Sequence, residues 1–546
     1  MPNIEINKDK FKELLGEDID DEKLLKEASY LGAHWHSIEQ DKAEVETYPN
    51  RPDLLSVEGL ARTYKAFFGL STGLPGYHVN EGEIELEVDK SVEEVRPYIG
   101  GAVVREVDLT EELINNLIQL QEKLHETMGR RRDKLAIGLH DLSVLEPNFR
   151  YTAVKPEEVS MVPLGKDREM QLGEIVEEHE KGIEYSWILE DHEKYPIIKD
   201  SGGNVLSFPP IINNQLTEVD EKTKEIFVDV TGKNKEAVHK CLNIIVTALA
   251  DRGGRVDSVN VDGEELPDLS PTRMELELDY LNSVSGLDLS REEASELLKK
   301  MNYGVKAGKE IGVEIPAYRT DIMHQYDLIE DVVIAYGYDD IESALPQVDQ
   351  IGEQKSIEDF SSIVRQIMTS AGALEANTYF LSSKEKLFDR MEQEEQEIVE
   401  MKNPLTRDYS VLRNWLSPSM LEVLNNNKHH SYPQEFFETE DVALIDDSST
   451  GSSNKRKLAY VVSDEGVDFN DARKRLQVLG RDLGIRFNVK ASEKPFFKAN
   501  RSADIFLEEK KVGFIGEYNS KVLESWELEK EVAGFELDLE EVQNYR

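Results

Sequence analysis

The chain has 546 residues, of which 39% are hydrophobic and 32% are charged. Acidic residues outnumber basic ones by 110 to 64, so the formal net charge is −46 at pH 7. Such a charge favours solubility, and it is the opposite of the basic surface that most nucleic-acid-binding domains present to phosphates. The length predicts about three or four domains.

The expected compartment follows from the cysteine count and the hydropathy. Cys241 is the one cysteine of the sequence and lies in an apolar stretch, so we expect a core residue, no internal disulfide and a reducing environment. The N-terminus lacks a targeting pattern. No apolar run approaches the roughly 18 residues of a membrane helix, which predicts a cytoplasmic protein without membrane contact.

Turn-forming residues and changes of pattern divide the chain into four segments. The segments span residues 1–80, 85–268, 270–345 and 350–546. In the first, Pro49 and Pro52 force a turn, and Ser56 caps a helix that carries Leu60 and Tyr64 on its apolar side. Helical and strand patterns alternate along the segments, which predicts a multidomain α+β protein.

The second segment combines strands with a long helix. Alternating Ile84, Leu86 and Val88 predict a strand, and leucines at helical spacing from Leu113 to Leu124 predict a helix. A dense basic cluster, Arg130-Arg131-Arg132-Asp133-Lys134, follows this helix. Short charged runs are usually solvated loops. A loop that contacts phosphates is the alternative.

A strand farther along this segment contains two polar residues, Asp229 and Thr231. Their side chains face the same way because side chains alternate along a strand. An aspartate within an apolar strand is costly unless it is hydrogen-bonded. The upstream run Ser207-Phe208-Pro209-Pro210 is suited to the wall of a pocket. The alternative is an exposed strand face or a turn at Thr231.

The third segment ends in a group of four acidic residues. It begins with a helix capped by Ser290 and Glu293 and a hairpin around Gly308, which is a winged-helix-like order. The acidic residues are Asp321, Asp327, Glu330 and Asp331, the last three on one face of a helix. Carboxylate oxygens suit Mg²⁺ or Ca²⁺ better than zinc. The alternative is a capping box formed by the second and third of these acids.

The fourth segment alternates long helices with strands. An apolar helix face fits either a subunit interface or the core of the segment itself; it contains Leu416, Met420, Leu421 and Leu424. The sequence lacks a GxxxxGK[ST] phosphate loop, an HExxH or paired CxxC metal motif and a GxSxG nucleophile elbow. Hydrolysis by this chain would therefore use a positioned water.

Short strings in all four segments carry a resemblance that extends over essentially the whole chain. They are Pro49-Asn50-Arg51-Pro52-Asp53-Leu54-Leu55-Ser56, Leu206-Ser207-Phe208-Pro209-Pro210-Ile211-Ile212-Asn213, Phe227-Val228-Asp229-Val230-Thr231-Gly232, Tyr318-Arg319-Thr320-Asp321-Ile322, Asp327-Leu328-Ile329-Glu330-Asp331-Val332, Asn403-Pro404-Leu405 and Phe535-Glu536-Leu537-Asp538-Leu539. In this order they resemble the β subunit of phenylalanyl-tRNA synthetase of the archaeal and eukaryotic cytosolic type.

The resemblance implies an α₂β₂ enzyme that joins phenylalanine to tRNA(Phe), with ATP bound by the α subunit. For the four segments it implies an N-terminal α/β domain, a tRNA-editing domain, a winged-helix-like domain with a Mg²⁺ site and a catalytically inactive domain of the class II synthetase type. In that last fold ATP is bound by paired arginines. These are missing from the strings Pro433-Gln434-Glu435-Phe436-Phe437-Glu438 and Gly516-Glu517-Tyr518-Asn519.

Carried over residue by residue, the resemblance implies two sites. The editing pocket consists of Asp229, Thr231, Ser207 and Ile198, and the magnesium site of Asp321, Asp327, Glu330 and Asp331. Ile198 falls where the family has leucine. In such a pocket Asp229 would accept a hydrogen bond from the hydroxyl of a mischarged tyrosine. Our hypothesis is that water held by backbone groups, Thr231 and the terminal hydroxyls of the tRNA then cleaves the ester.

Two other functions fit parts of the sequence. One is a scaffold subunit that assembles the α subunit and tRNA without editing, and the other is a winged-helix nucleic-acid-binding protein. The pair Asp229 and Thr231 favours editing over the scaffold. The net charge of −46 argues against the winged-helix protein, which would need a basic recognition helix.

Overall fold

Helices and strands are mixed along the whole chain, which confirms the prediction of a multidomain α+β protein. The computed structural model describes residues 2–17, 19–39, 42–306, 308 and 310–546. These fall into two units, Met1–Ala344 and Leu345–Arg546. The finer division of the first unit into three domains stays a prediction. Within the described ranges no helix is long and apolar enough to cross a membrane.

The N-terminal part of the first unit combines three helices with a small antiparallel sheet of strand order β1-β3-β2. Its elements are β1 (Asn3–Asn7), α1 (Lys8–Leu15), α2 (Asp21–Glu27), β2 (Ala33–Glu39), β3 (Lys42–Thr47) and α3 (Val57–Phe67). The Ser56 side chain accepts a hydrogen bond from the Gly59 N–H and caps α3, as predicted. This satisfies one of the backbone donors that a helix start leaves open.

The middle of the first unit is built on a ten-stranded sheet of order β12-β11-β10-β7-β4-β14-β5-β13-β6, with β15 paired to β14. Its elements are β4 (Val79–Val88), β5 (Tyr98–Arg105), α4 (Glu111–Glu126), β6 (Leu135–Asp141), β7 (Phe149–Val154), β8 (Ser160–Met161), β9 (Met170–Gln171), α5 (Leu172–Glu178), α6 (Glu180–Tyr185), β10 (Tyr195–Asp200), β11 (Val205–Phe208), β12 (Ile212–Asn213), β13 (Glu225–Gly232), α7 (Lys235–Asp251), β14 (Arg255–Val261) and β15 (Glu264–Leu266). The predicted leucines of α4 and Cys241 of α7 are buried against this sheet.

The third part of the unit has the predicted order of a capped helix, a hairpin and a second helix, preceded by a strand and a helix that were not predicted from the sequence. Its elements are β16 (Thr272–Leu276), α8 (Leu278–Ser285), α9 (Arg291–Lys300), β17 (Gly304–Lys306), β18 (Ile311–Ile315) and α10 (Gln325–Tyr336). Ser290 and Glu293 form the predicted capping box. At α10 the predicted box is wrong, because His324 caps this helix and Asp327, its third residue, completes the box. Glu330 takes no part in it.

The first and third parts of this unit share one hydrophobic core. Phe11 and Leu60 of the N-terminal part are buried in the same cluster as Leu298 and Val332. Distant stretches of the sequence therefore stabilise each other, since neither apolar face is covered by its own segment alone.

The second unit is a mixed sheet covered by helices on both faces, with strand order β19-β22-β23-β27-β26-β25-β24. Its elements are α11 (Ser356–Ser370), β19 (Leu374–Glu375), β20 (Leu381–Ser382), α12 (Lys384–Leu387), β21 (Val411–Leu412), α13 (Ser417–Asn427), β22 (Gln434–Ile445), β23 (Ser452–Asp464), α14 (Phe469–Leu483), β24 (Asn488–Ala491), β25 (Phe497–Leu507), β26 (Lys510–Tyr518), α15 (Ser520–Ser525), β27 (Glu531–Asp538) and α16 (Leu539–Tyr545). The apolar face of Leu416, Met420, Leu421 and Leu424 is buried in the core of this unit. Of the two alternatives for that face, the structure therefore favours the internal core over a subunit interface.

Candidate functional site

A cavity of about 300 Å³ lies in the middle of the first unit, where α4 faces the sheet. Much of its lining is apolar and includes Ile114, Leu117, Ile137, Pro209, Pro210 and Ile212. Ser207, which was predicted to belong to a pocket wall, and Asp229, which was predicted to be a buried carboxylate, also line the cavity. A small apolar cavity with a few polar groups is typical of a site that binds one organic side chain.

Asp229 is the most buried acid of this cavity, with a relative exposure of 1%. Its Oδ2 atom lies 2.9 Å from Nε2 of His140, whose Nδ1 atom lies 2.8 Å from the Thr217 hydroxyl. The other carboxylate oxygen has no hydrogen-bond partner among the described residues. One oxygen is therefore fixed by the protein, and the second is available to a donor inside the cavity.

The position of the Asp229 carboxylate depends on a glycine of the neighbouring strand. Gly138 pairs with Asp229 across β6 and β13. A Cβ atom at Gly138 would lie 1.9 Å from Oδ2 of Asp229 and 2.7 Å from Nε2 of His140. No larger residue fits at position 138 without moving the Asp229 carboxylate. The glycine therefore leaves the space that this carboxylate occupies.

Ser207 and Ile198 occupy neighbouring strands but different environments. The Ser207 hydroxyl donates a hydrogen bond of 2.9 Å to Oδ1 of Asn213, which also lines the cavity. Ile198 pairs with Ser207 across β10 and β11, yet its side chain is fully buried in the core behind the wall. The structure thus brings Ser207 to the cavity and leaves Ile198 as its support.

Thr231 lies behind the cavity wall. Its hydroxyl accepts a hydrogen bond of 3.0 Å from Nε of Arg96, and its carbonyl accepts another of 3.0 Å from the same guanidinium. Arg96 is 1% exposed, and this burial lowers its pKa to about 10, so the group stays charged at neutral pH. Among the described lining residues Thr231 does not appear. Its contact in this structure is with Arg96.

The basic cluster behaves differently from a simple solvated loop. Arg130 and Arg131 are exposed, as that interpretation predicts, but Arg132 is 8% exposed and lines the cavity. Its guanidinium donates to the Ile211 carbonyl at 2.9 Å and lies 4.5 Å from the ring centre of Tyr185. For Arg132 the prediction of a solvated side chain is therefore wrong.

The four predicted magnesium ligands line one cleft of about 740 Å³, separate from the cavity. The cleft also contains Asn50 of the turn before α3 and the basic side chains of Arg130 and Lys134. Among the residues that the structure describes, no group of three or more histidine, cysteine, aspartate or glutamate side chains is arranged to hold a metal ion. The acids are neighbours without forming a preorganised ligand set.

Arg319 accounts for much of this arrangement. Its guanidinium binds both oxygens of Asp321, at 2.8 and 2.7 Å, and Oδ2 of Asp331 at 2.8 Å. The same Asp331 oxygen accepts a hydrogen bond of 2.5 Å from Tyr303. Burial by itself raises the pKa of Asp321, but Arg319 outweighs it and brings that pKa to about 2. Two of the four acids are thus paired with the chain's own arginine, whose single positive charge they share.

Glu330 and Asp327 keep oxygens that are open to a cation. Oδ2 of Asp327 accepts the backbone N–H groups of Met323 and His324, which leaves Oδ1. Glu330 makes no hydrogen bond or ion pair with the described residues. Burial, followed by the neighbouring acids, raises its pKa. Hard oxygen donors of this kind fit Mg²⁺, although the arginine limits how many can be offered at once.

His140, Gly138 and Arg96 are site residues that sequence reasoning missed. The first two stand two apart on β6, and that alternation within an apolar strand was the available signal. Arg96 gave no signal, because the nearby Glu93 and Glu94 would suggest a local ion pair, which does not form between these described residues. Its partners, Arg132, Asp133 and Thr231, are distant in the sequence.

Three family models match the chain. They describe a B3/4 domain at residues 105–245, a tRNA synthetase B5 domain at residues 274–338 and a phenylalanyl tRNA synthetase beta chain CLM domain at residues 341–539. The first contains Asp229 and its surroundings, and the second contains the acidic cleft's four carboxylates. The class is therefore that of the tRNA synthetase proteins.

Curated relatives narrow the class to one family. The chain is 40% identical to the phenylalanine–tRNA ligase beta subunit of Pyrococcus abyssi, with 99% of each chain covered. It is 41% identical to that of Archaeoglobus fulgidus, covering 99% of this chain and 98% of the relative. The crystal structure of an N-terminal fragment of the Pyrococcus horikoshii beta subunit superimposes with a TM-score of 0.60 at 41% identity, covering 62% of this chain and 100% of the fragment. The chain belongs to the family of phenylalanine–tRNA ligase beta subunits.

Proposed function

We propose that the chain, as part of a phenylalanine–tRNA ligase, hydrolyses tyrosyl-tRNA(Phe) in the cavity that contains Asp229. The observation that carries this proposal is the buried carboxylate with one open oxygen in an otherwise largely apolar cavity. The phenol ring of a tyrosyl ester fits the apolar lining, and its hydroxyl donates to Asp229. The tRNA end remains outside, so the cavity receives only the amino acid.

Selectivity follows from the hydrogen bond that phenylalanine cannot make. A bound phenylalanyl group would bury the open oxygen of Asp229 without a donor, which costs about 1–3 kcal/mol or more for a charged group. A site built around a substrate hydroxyl can reject the analogue that lacks it by roughly 10⁴–10⁵-fold. The correct product is therefore spared because it leaves the cavity's acid unsatisfied.

In the hydrolysis, water attacks the ester carbonyl, the bond from the acyl carbon to the ribose oxygen breaks, and a proton passes to that oxygen. The products are tyrosine and free tRNA. Asp229, oriented by His140 behind it, binds the phenol hydroxyl, and Ser207 with Asn213 forms a polar wall on which the water can be positioned. Thr231 acts from behind the wall through Arg96, in place of the direct contact with water that the sequence suggested.

Replacing Asp229 by alanine tests this function. We expect the variant, assembled with the α subunit, to attach phenylalanine to tRNA normally and to hydrolyse tyrosyl-tRNA(Phe) at least about 10²-fold more slowly. Asp108→Ala is the matched control, because this aspartate lies in the same part of the unit and its side chain is 93% exposed. Unchanged hydrolysis by the Asp229 variant would rule out this role for Asp229, and the absence of hydrolysis by the wild-type complex would support the scaffold function.

The active ligase is proposed to contain two copies of this chain and two of an α subunit that binds ATP and phenylalanine. The support is the family membership together with the missing paired arginines of the fourth segment. Light scattering of the mixed chains should give the mass of the four-chain complex. The chain alone should show no ATP–pyrophosphate exchange with phenylalanine, and robust exchange would contradict this division of labour.

The acidic cleft is proposed to bind one Mg²⁺ ion. The open oxygens of Glu330 and Asp327 would hold it, and Asp321 and Asp331 would share their charge between the ion and Arg319. Mg²⁺ keeps several waters when few carboxylates are offered, which suits this partial set. The ion would supply positive charge to the cleft and cross-link α10 to the preceding turn.

A further inference from the structure

The turn formed by Arg130, Arg131 and Arg132 has an unusual backbone. All three residues have positive φ, with values of 49°, 56° and 65°. The left-handed conformation costs an L-residue other than glycine about 1–2 kcal/mol, and such residues normally occur singly. Three in succession persist only where the surrounding structure fixes them.

The buried guanidinium of Arg96 fixes this turn from inside the domain. It donates hydrogen bonds of 3.0 Å to the carbonyls of Arg132 and Asp133, in addition to its two bonds to Thr231. The backbone N–H of Lys134 donates to the Gly129 carbonyl at 2.9 Å and closes the turn. The conformation is therefore imposed by the interior of the domain and is independent of solvent contacts.

The three arginine side chains of this turn have different environments. Arg132 lines the cavity, where Glu122 and the Ile211 carbonyl hold it at 2.9 Å each. Arg130 and Arg131 are exposed, and neither makes an ion pair with a described carboxylate, although Arg130 lines the acidic cleft. The turn thus places two open guanidiniums next in sequence to Arg132, which lines the cavity.

We propose that Arg130 and Arg131 bind phosphates of the single-stranded 3′ end of the tRNA when its aminoacyl group lies in the cavity. The inference rests on the proposed hydrolytic function, because that function brings the polyanionic end of the tRNA to the cavity that the adjacent Arg132 lines. A chain of charge −46 repels RNA at long range, so binding needs local cationic contacts. Arginine forks match phosphate oxygens, and a rigid turn presents them without ordering a flexible loop.

The test measures binding of a tRNA that carries tyrosine through an uncleavable 3′-amide. The protein is the complete complex with the α subunit, and the variant is Arg130→Asn with Arg131→Asn. Asparagine removes both charges and tolerates the left-handed backbone, so the fold should be kept. Arg168→Ala is the control, because this exposed arginine of the same part of the unit already pairs with Glu178 at 2.5 Å. A double lysine variant restores the charge.

We expect the double asparagine variant to bind about 5–20-fold more weakly at moderate salt. The slope of log affinity against log salt concentration should fall by roughly 0.7–0.9 for each phosphate that the variant no longer binds. The control should match the wild type, and the lysine variant should recover most of the slope. An unchanged affinity and slope in the folded asparagine variant would overturn the inference.

A second measurement separates this inference from the proposed function. The tyrosyl ester of adenosine has no phosphate, so the asparagine variant should hydrolyse it as fast as the wild type. If the wild-type complex releases tyrosine from neither this ester nor tyrosyl-tRNA, the hydrolytic function fails. The binding experiment uses an uncleavable linkage and still decides whether Arg130 and Arg131 contact the phosphates.

Discussion

The first unit presents carboxylates in two contrasting ways. In the cavity a single buried aspartate, Asp229, is held by His140 and keeps one oxygen open. In the acidic cleft, Arg319 occupies both oxygens of Asp321 and one of Asp331. The comparison teaches that the number of acids is a poor guide to function. What matters is which oxygens the protein itself has already satisfied.

If Arg319 holds the cleft together, its replacement by methionine should have the largest effect of the substitutions considered. The variant leaves Asp321 and Asp331 buried without their counter-charge, which costs about 3–5 kcal/mol. We expect a loss of this size in the free energy of unfolding, measured by urea denaturation of the isolated chain. Arg273→Met is the matched control, since this arginine is 73% exposed and its ion pair with Glu314 should contribute little.

The same variant has a signature in the pH dependence of stability. The pKa of Asp321 is about 2 in the folded chain, below its ordinary value of 3.8. A lowered acid pKa contributes stability that is fully present above the unfolded value and is lost as pH falls towards the folded one. Stability of the wild type should therefore drop between about pH 4 and pH 2. An equally steep drop in the Arg319 variant would show that another group is responsible.

The second prediction concerns the cavity that contains Asp229. Gly138→Ala should displace the Asp229 carboxylate, because the new Cβ would lie 1.9 Å from its Oδ2 atom. A misplacement of about 1 Å in a reacting group can cost roughly 10²-fold in rate. We expect such a loss in tyrosyl-tRNA hydrolysis, with phenylalanine attachment by the complex unchanged.

Gly173→Ala controls for the loss of a glycine. A Cβ at Gly173 would meet only the Pro156 side chain at 3.5 Å, an ordinary contact, so this variant should keep full hydrolysis. A crystal structure of the Gly138 variant should show Asp229 turned away from His140. If hydrolysis stayed at the wild-type rate although the carboxylate had moved, Asp229 would not be the group that recognises tyrosine.

Sequence patterns predicted the parts of this architecture that depend on near neighbours. The leucine repeat of α4 and the caps at Ser56 and Ser290 follow from side chains within one or two turns of each other. The resemblance supplied Asp229 and Ser207, which line the cavity. These features depend on periodicity and on short strings, both of which are visible in a single sequence.

Contacts between distant residues could not be predicted in the same way. Asp229 and His140 are 89 residues apart, so nothing local links them. The inward direction of Arg132 depends on left-handed backbone angles that non-glycine residues rarely adopt, and the sequence gives no sign of them. The pairing of Asp331 with Arg319 likewise requires two elements to pack before the ion pair exists.

The smallest expected effect tests whether the cleft retains any capacity for a cation. Mg²⁺ at ten times its dissociation constant should stabilise the folded chain by about 1.4 kcal/mol, which is roughly 3–6 °C in melting temperature for a domain-sized unit. Glu330→Gln should abolish most of this increase, because it removes one of the proposed ligands, whose carboxylate has no partner among the described residues. It changes the charge but hardly the volume.

Without Mg²⁺, the Glu330→Gln variant should have a higher melting temperature than the wild type. Partial burial and then the neighbouring acids raise the pKa of Glu330, so its negative charge is unfavourable in the folded chain at neutral pH. Glutamine relieves this repulsion and should raise the melting temperature by about 1–2 °C, a small gain because the group is largely solvated. Glu342→Gln, an exposed acid outside the cleft, should change neither value. If the wild type and the Glu330 variant responded equally to Mg²⁺, Glu330 would not bind the ion. Arg319 would then be the only cation that the acids of the cleft bind, whereas Asp229 keeps one oxygen open to a ligand.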